Sequence, residues 1–237
     1  MTGKKGVLYG VSVGPGDPEL MTLRAVRTLE SCDVIAAPET KGESHAALDI
    51  AKGAVCLDQK EIRMLSFTMS RDPETLAKSH EKQAEILIGI LESGKNVAML
   101  NLGDASLYGT WEYIRKIVER RGFETKTVPG VTSFSASAAA LGVSLTSGAD
   151  PLIILPASYP EAVRTYLGLP GAKVLMKSGK NLARIKEMIE EAGLSDRAQM
   201  AVNCGMPGEK LFHSLRDAGD EEGYFSTILV NERKENE

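Results

Sequence analysis

The sequence predicts an α/β protein with a largely parallel sheet, and three observations lead to this fold class. Short runs of Val, Ile and Leu alternate along the chain with longer segments of helical periodicity. Strands and helices in such alternation are typical of parallel α/β folds. Residues suited to helix ends stand where the pattern needs them: Ser44 and Asn181 before helices, and Gly94, Gly122 and Gly193 just after helices.

The pattern predicts nine strands and seven helices. The strands are expected at Gly6–Val13, Asp33–Ala37, Glu61–Leu65, Asn96–Leu100, Glu124–Val128, Leu152–Leu155, Lys173–Met176, Gln199–Val202 and Thr227–Val230. The helices are expected at Thr22–Ser31, Ser44–Lys52, Pro73–Leu91, Trp111–Arg121, Thr132–Leu141, Pro160–Tyr166 and Asn181–Ala192.

A domain boundary is expected after Val128. Pro129-Gly130 interrupts the chain there, a helix of small residues follows, and Thr146-Ser147-Gly148 forms another turn. We therefore predict an N-terminal α/β domain over residues 1–128 and a C-terminal α/β domain over residues 129–237.

Composition excludes several function classes. The 237 residues carry 28 Lys and Arg against 32 Asp and Glu, a net charge of -4, which is unlike the basic footprint of a nucleic-acid binder. Aromatic residues make up only 5% of the chain, too few for a base-stacking surface. The start of the chain does not resemble a signal peptide, and no apolar stretch approaches the roughly 20 residues that span a bilayer. We expect a cytoplasmic enzyme.

Cysteine and histidine patterns predict neither a disulfide framework nor a metal site. The chain has three cysteines, an odd number, and they are far apart: Cys32, Cys56 and Cys204. We expect each of them to be buried as a small apolar side chain, in a protein of a reducing compartment. The three histidines have no metal-ligand spacing. We therefore expect no protein-bound metal.

Three loops combine glycine with polar side chains directly after predicted strands: Val13–Pro18, Leu100–Gly109 and Val128–Ser133. Ligands of α/β proteins bind beyond the carboxyl ends of strands, and glycine lets the backbone come close to a ligand. Taken singly, each loop also has an ordinary interpretation. Gly-Pro-Gly-Asp is a common turn, and Asp104, Thr132 and Ser133 suit helix N-termini.

Together, the loops resemble the tetrapyrrole methylase family. The resemblance covers nearly the whole chain and rests on Val-Gly-Pro-Gly-Asp-Pro-Glu-Leu, Gly-Asp-x-x-x-Tyr-Gly and Pro-Gly-Val-Thr-Ser, in that order. It implies two α/β domains, with S-adenosylmethionine bound in the cleft between them. Five further stretches are similar to the members that methylate C-20 of precorrin-2 or cobalt-factor II: Leu8–Leu20, Phe67–Asp72, Trp111–Ile114, Pro129–Ala139 and Met176–Gly179.

The resemblance also implies which residues bind S-adenosylmethionine. In the N-terminal part of the chain and the third loop, they are Pro15, Leu102, Gly103, Asp104, Leu107, Thr132 and Ser133. Further along the chain, on looser matches, they are Met176, Asn203, Cys204, Ser226 and Thr227. In one departure from the family pattern, Ala105 stands where the second loop usually has proline. We expect this loop to be slightly less rigid, with binding intact.

Methylation of a ring carbon removes a proton from the macrocycle, so a base or polar group nearby would help. Asp104 and Tyr224 are the candidate catalytic residues, although Tyr224 would serve equally well as a packing residue. The substrate's eight carboxylates call for a basic rim. About two of five lysines and arginines near predicted strand ends are expected to supply it, out of Lys41, Arg63, Arg71, Lys177 and Lys180.

Other functions remain open from sequence alone. One is a methylase of the same family that acts at another ring position, or on a protein or RNA. Another is a non-catalytic α/β module that binds a nucleotide. The resemblance implies a homodimer and a tetrapyrrole substrate, and the composition predicts neither nucleic acid nor a membrane as partner.

Overall fold

The structure, a computed structural model, describes residues 4–39, 45–68, 70, 72–222 and 225–231. The chain divides into two compact units, Met1–Thr132 and Ser133–Glu237. Each unit is built around one five-stranded sheet. The predicted domain boundary after Val128 stays a prediction.

The first unit contains a fully parallel sheet with strand order β3-β2-β4-β1-β5. Its strands are β1 (Leu8–Ser12), β2 (Val34–Pro38), β3 (Glu61–Leu65), β4 (Val97–Asn101) and β5 (Thr125–Val128). Its helices are α1 (Leu23–Ser31), α2 (Ala46–Ala54), α3 (Pro73–Glu92) and α4 (Trp111–Arg120).

Helices cover both faces of this sheet, because successive strand residues point to opposite sides. On β2, Ile35 packs into the cluster that includes Leu29 of α1, whereas its neighbour Val34 packs into the cluster that includes Leu87 and Trp111 of α3 and α4. All of these side chains are almost fully buried. The helix after β1 therefore lies on one face, and the helix after β4 lies on the other.

The second unit contains a mixed sheet with strand order β6-β7-β10-β8-β9. Its strands are β6 (Leu152–Pro156), β7 (Ala172–Met176), β8 (Ala198–Val202), β9 (Lys210–Phe212) and β10 (Ser226–Val230), and its helices are α5 (Ser133–Leu141), α6 (Pro160–Leu167) and α7 (Leu182–Glu191). Only the β6–β7 pair is parallel. The prediction of a largely parallel sheet is thus confirmed for the first unit and wrong for the second, because β10 returns between β7 and β8 in the opposite direction.

All nine predicted strands and seven predicted helices are present, and no end differs from its prediction by more than two residues. The sequence pattern missed β9, since a three-residue strand after the turn residues Pro207 and Gly208 carries too little periodicity to detect. Gly94, Gly122 and Gly193 adopt the left-handed backbone expected after helices. Asn181 lies at the start of α7, but its side chain donates to the Ala157 carbonyl and does not cap the helix. The other predicted cap, Ser44, lies outside the described residues.

No helix in the described part of the chain is both long and apolar enough to cross a bilayer. The prediction that the cysteines are buried is confirmed for Cys32 and Cys204 and wrong for Cys56, which is exposed. The Cys56 thiol lies 3.6 Å from the Asp58 carboxylate, where it can donate a weak hydrogen bond.

Candidate active site

The three glycine-containing loops of the sequence analysis follow β1, β4 and β5, which are neighbours in the first sheet. Parallel strands end at the same edge, so the loops meet there. The loops after β1 and β4 lead to helices on opposite faces of the sheet. In open parallel sheets, ligands bind beyond adjacent strand ends whose connections diverge in this way.

The first two loops are joined through their backbones. Gly14 and Gly103 form an antiparallel bridge in which each N–H donates to the other carbonyl, at 3.2 and 2.7 Å. Both glycines have left-handed backbones, with φ of 79° and 69°. Side chains other than glycine seldom adopt this geometry, so the glycines of both motifs are needed for the fold of the loops themselves.

The third loop packs against the first two through Gly130. A Cβ atom at this position would lie 2.5 Å from Cβ of Ser12 and 2.8 Å from the Gly103 carbonyl oxygen. The backbone N–H of Gly130 donates to the Asp104 carboxylate at 2.7 Å. The three motifs thus form one structure held by close backbone approach.

Asp104 fixes the second loop to the third with one carboxylate oxygen and stabilises its own loop with the other. One oxygen accepts from Gly130, and the other accepts from the backbone N–H of Ser106 at 2.9 Å and from the Ser106 hydroxyl. Partial burial acts to raise the pKa of Asp104, but these hydrogen bonds outweigh it and hold the pKa below its usual value. A carboxylate so occupied is a weak proton acceptor. Its contacts favour a positioning role over the predicted basic role.

A hydrogen bond to Ser12 explains how the second loop is held although Ala105 replaces the usual proline. The buried Ser12 hydroxyl accepts a hydrogen bond from the Ala105 N–H at 2.9 Å. Proline at position 105 would have no N–H to donate. In this chain a hydrogen bond therefore anchors the second loop at the residue where a proline ring would otherwise restrict it.

The structure brings the first group of predicted cofactor residues, apart from Ser133 at the start of α5, to this edge of the first sheet. Pro15 and Gly103 are buried, and Leu102, Asp104, Leu107 and Thr132 are half-buried. They lie in the loops after β1, β4 and β5, as the motifs indicate.

The second group of predicted residues meets at one edge of the second sheet. Met176 ends β7 and pairs with Thr227 of β10, whose hydroxyl lies 3.5 Å from that of Ser133 on α5. Asn203 and Cys204 follow β8, and Asn203 donates its N–H to the Phe225 carbonyl. Burial, aided by the charge of Glu209, raises the pKa of the Cys204 thiol and so favours the neutral thiol over the nucleophilic thiolate.

Sequence reasoning missed a buried hydroxyl pair at this second edge. Ser226 was predicted, but its partner Ser178 was not; their hydroxyls are 2.6 Å apart and almost fully buried. Sequence reasoning also missed the buried Ser12 of the first unit, whose hydroxyl accepts from the Ala105 N–H. The only available signal was a hydroxyl residue at the end of an apolar strand, which is too common a feature to single out a residue.

The predicted basic residues differ in their surroundings. Lys177 follows β7, is half-buried and has a left-handed backbone with φ of 60°. Burial lowers the pKa of its ammonium group. Arg63 pairs with Glu61 at 3.4 Å on the surface, and Lys180 is exposed. The remaining candidates, Lys41, Arg71 and the catalytic candidate Tyr224, lie outside the described residues.

Among the described residues, no three side chains of His, Cys, Asp or Glu are grouped so as to hold a metal ion. The expectation that the protein binds no metal of its own stays a prediction.

Comparisons with known proteins connect this geometry to a family. Residues 7–218 match the family model described as Tetrapyrrole (Corrin/Porphyrin) Methylases. The chain is 37% identical over 236 residues to the cobalt-precorrin-2 C(20)-methyltransferase of Salmonella typhimurium, covering 97% of this chain and 98% of the relative. It is 30% identical over 233 residues to the precorrin-2 C(20)-methyltransferase of a Sinorhizobium species, with 95% of each chain covered.

The fold has close counterparts among solved structures. The uroporphyrin-III C-methyltransferase of Thermus thermophilus, solved as a complex with S-adenosylhomocysteine, matches with a TM-score of 0.71. The match covers 96% of this chain and 92% of that protein at 20% identity. At this identity the likeness concerns the fold alone.

Proposed function

The chain belongs to the tetrapyrrole (corrin/porphyrin) methylases, and on that premise we propose that it transfers a methyl group from S-adenosylmethionine to C-20 of precorrin-2 or cobalt-factor II, in cobalamin synthesis. The observation that carries the proposal is the 37% identity with a C-20 methyltransferase over nearly the full length of both chains. A second relative with the same positional specificity supports it at 30% identity.

The residues at the first sheet edge fit the methyl donor. The Gly14–Gly103 bridge and the tightly packed Gly130 fix the three loop backbones beyond the carboxyl ends of the strands, where ligands of parallel sheets bind. We assign the donor to Pro15, Leu102, Gly103, Asp104, Leu107 and Thr132 in the first unit. The assignment of Ser133, Met176, Asn203, Cys204, Ser226 and Thr227 in the second unit is also a proposal.

S-adenosylmethionine supplies a methyl group that is already activated by the positive sulfonium. The chain's own contribution is therefore placement, which is worth up to roughly 7–11 kcal/mol when reacting atoms are held in line. Glycine-locked loops suit this task, because their geometry is fixed before any ligand arrives. Asp104 contributes by fixing two of these loops to each other.

A proton must leave the substrate carbon after methylation, and Tyr224 remains the candidate for receiving or stabilising it. Asp104 stays a candidate as well, although its hydrogen bonds favour positioning. For the substrate carboxylates, Lys177 is the candidate among the described residues, since it directly follows β7 at the edge of the second sheet where Met176 and Thr227 lie.

Two assays on the full chain test this function. Calorimetry with S-adenosylhomocysteine should show binding, whereas no binding at millimolar ligand would rule out a methylase. Incubation with precorrin-2 and with cobalt-factor II, followed by carbon-13 NMR of the product, should locate the new methyl group at C-20. A methyl group at another carbon would support a different position-specific methylase, and binding without turnover of any tetrapyrrole would support a non-catalytic module.

We further propose a homodimer, which light scattering at micromolar concentration would test. A monomer at that concentration would reject it. The cytoplasmic location stays a prediction.

A further inference from the structure

Three non-glycine residues in the described ranges have a left-handed backbone: Tyr108, Lys177 and Asn203. Lys177 and Asn203 directly follow β7 and β8, and Tyr108 lies in the loop between β4 and α4 that also carries Gly103 and Asp104. Asparagine tolerates this conformation, so Asn203 needs no special account. A bulky residue at positive φ is a genuine outlier, and Tyr108, with φ of 48°, is the bulkiest of the three.

The strain at Tyr108 is maintained by firm attachments on both sides. Three residues before it, the buried Ala105 is hydrogen-bonded to Ser12. Three residues after it, Trp111 is fully enclosed, with its ring against Gly10 and its indole N–H donating to Thr127 at 2.8 Å. A sparsely populated conformation persists only where such surroundings determine it.

Glycine would adopt the left-handed backbone of position 108 without strain. The turn itself therefore does not require a tyrosine at this position. Tyr108 is 42% exposed, and it lies in the same loop after β4 as Gly103 and Asp104. Partial burial raises the pKa of the Tyr108 phenol, so the hydroxyl remains a neutral donor.

We propose that Tyr108 contacts the tetrapyrrole substrate, with its ring against the macrocycle and its hydroxyl donating to a substrate carboxylate. This proposal rests on the proposed function. The ring matches the flat apolar body of a macrocycle, and the phenol matches the carboxylates at its rim. Strained residues cluster where a side chain must be held in a functional direction, and Tyr108 meets that description.

The test uses Tyr108→Asn, which keeps a residue tolerant of positive φ and removes the ring, and Tyr108→Phe, which removes only the hydroxyl. The matched control is Tyr166→Asn, because Tyr166 is also 42% exposed but belongs to helix α6 of the second unit. For each variant, three quantities are measured: the thermal midpoint, the affinity for S-adenosylhomocysteine by calorimetry, and the affinity for cobalt-factor II from its visible absorption.

Tyr108→Asn should bind cobalt-factor II at least about tenfold more weakly, as expected for loss of an aromatic anchor. Its thermal midpoint should be no lower than that of the wild type, and its affinity for S-adenosylhomocysteine should stay within about twofold. The affinity of Tyr108→Phe for cobalt-factor II should lie between those of Tyr108→Asn and the wild type. Tyr166→Asn should match the wild type in its affinity for both ligands. If the protein methylates cobalt-factor II, Tyr108→Asn should raise KM by a larger factor than it lowers kcat.

Unchanged cobalt-factor II affinity in Tyr108→Asn would overturn the proposal, as would an equal loss for both ligands, which would indicate general damage to the loop. The binding titration separates this proposal from the broader one. A wild type that binds cobalt-factor II without methylating it would reject the proposed function, while the Tyr108 contact would still be decided by the variants. A wild type that binds no tetrapyrrole would reject both.

Discussion

The two sheet edges that carry the candidate site residues are built by different means. In the first unit, three loops at the end of a fully parallel sheet are locked by backbone contacts between glycines. In the second unit, a mixed sheet presents hydroxyl side chains, the Ser178–Ser226 pair and the longer Thr227–Ser133 contact. Backbone contacts require particular residues at fixed positions, whereas side-chain contacts can be made by several residue types. The first edge should therefore be far less tolerant of substitution than the second.

The largest effect is expected at Gly130. Gly130→Val places side-chain atoms where even a Cβ lies 2.5 Å from Ser12, so we expect the free energy of unfolding to fall by about 3 kcal/mol or more. Affinity for S-adenosylhomocysteine should fall with it. Urea denaturation and calorimetry measure the two quantities.

Gly89→Ala is the matched control for this substitution. Gly89 lies in helix α3, and nothing lies within 4 Å of the position of an added Cβ. This variant should gain about 0.5–1 kcal/mol, because alanine is the better helix former. If Gly130→Val is as stable as the wild type, the loops are not locked in the way we describe.

A smaller effect is expected at Ser12. Ser12→Ala leaves the buried Ala105 N–H without its acceptor, which should cost about 1–3 kcal/mol. Ala105→Pro alone should also destabilise the chain, because the Ser12 hydroxyl then loses its donor. In the double variant the two costs should not add, and a double-mutant cycle by urea denaturation measures this coupling. Strict additivity would mean that the hydrogen bond does not hold the loop.

These residues also show how far the sequence determines the site. Glycine and proline at fixed spacing after apolar strands predicted the three loops, because left-handed turns and close backbone contacts admit few other residues. The alternation of strand and helix predicted nearly every element. The antiparallel course of β10 was beyond this reasoning, because strand direction depends on the path of the whole chain and leaves no mark on local periodicity. The partners of Ser12 and Ser226 were missed for a similar reason: they lie 93 and 48 residues away.

Asp104 should show a moderate effect that depends on pH. Its pKa is held below the usual value in the folded state, so its contribution to stability is present above the unfolded pKa of about 3.9 and is lost as the pH falls through the folded pKa. Asp104→Asn should cost about 1 kcal/mol at pH 7, since the site is only half-buried and an amide can keep one of the contacts.

The difference between Asp104→Asn and the wild type should shrink as the pH is lowered below about 4. Urea denaturation of both proteins at several pH values provides the measurement, and Asp58→Asn, a change at an exposed surface carboxylate, serves as the control. A difference that stays constant over this range would show that the charge of Asp104 contributes nothing to holding the loops.

The smallest effect on stability is expected in the second unit, at Thr227. Its hydroxyl contact with Ser133 is long, at 3.5 Å, and valine has nearly the same shape as threonine, so Thr227→Val should change the free energy of unfolding by no more than about 0.5 kcal/mol. Thr165→Val in α6, which loses a hydroxyl contact on the surface, is the matched control.

The affinity of Thr227→Val for S-adenosylhomocysteine then tests whether this edge of the second sheet contacts the methyl donor. If Thr227 contacts the methyl donor, Thr227→Val should weaken S-adenosylhomocysteine binding by about tenfold with stability nearly unchanged, as loss of a hydrogen bond worth about 1.4 kcal/mol requires. Thr165→Val should leave the affinity as it is. An affinity within twofold of the wild type would remove Thr227 from the donor site. The contrast between the edges would then be sharper, because the contacts with the donor would depend more heavily on the glycine-locked loops of the first unit.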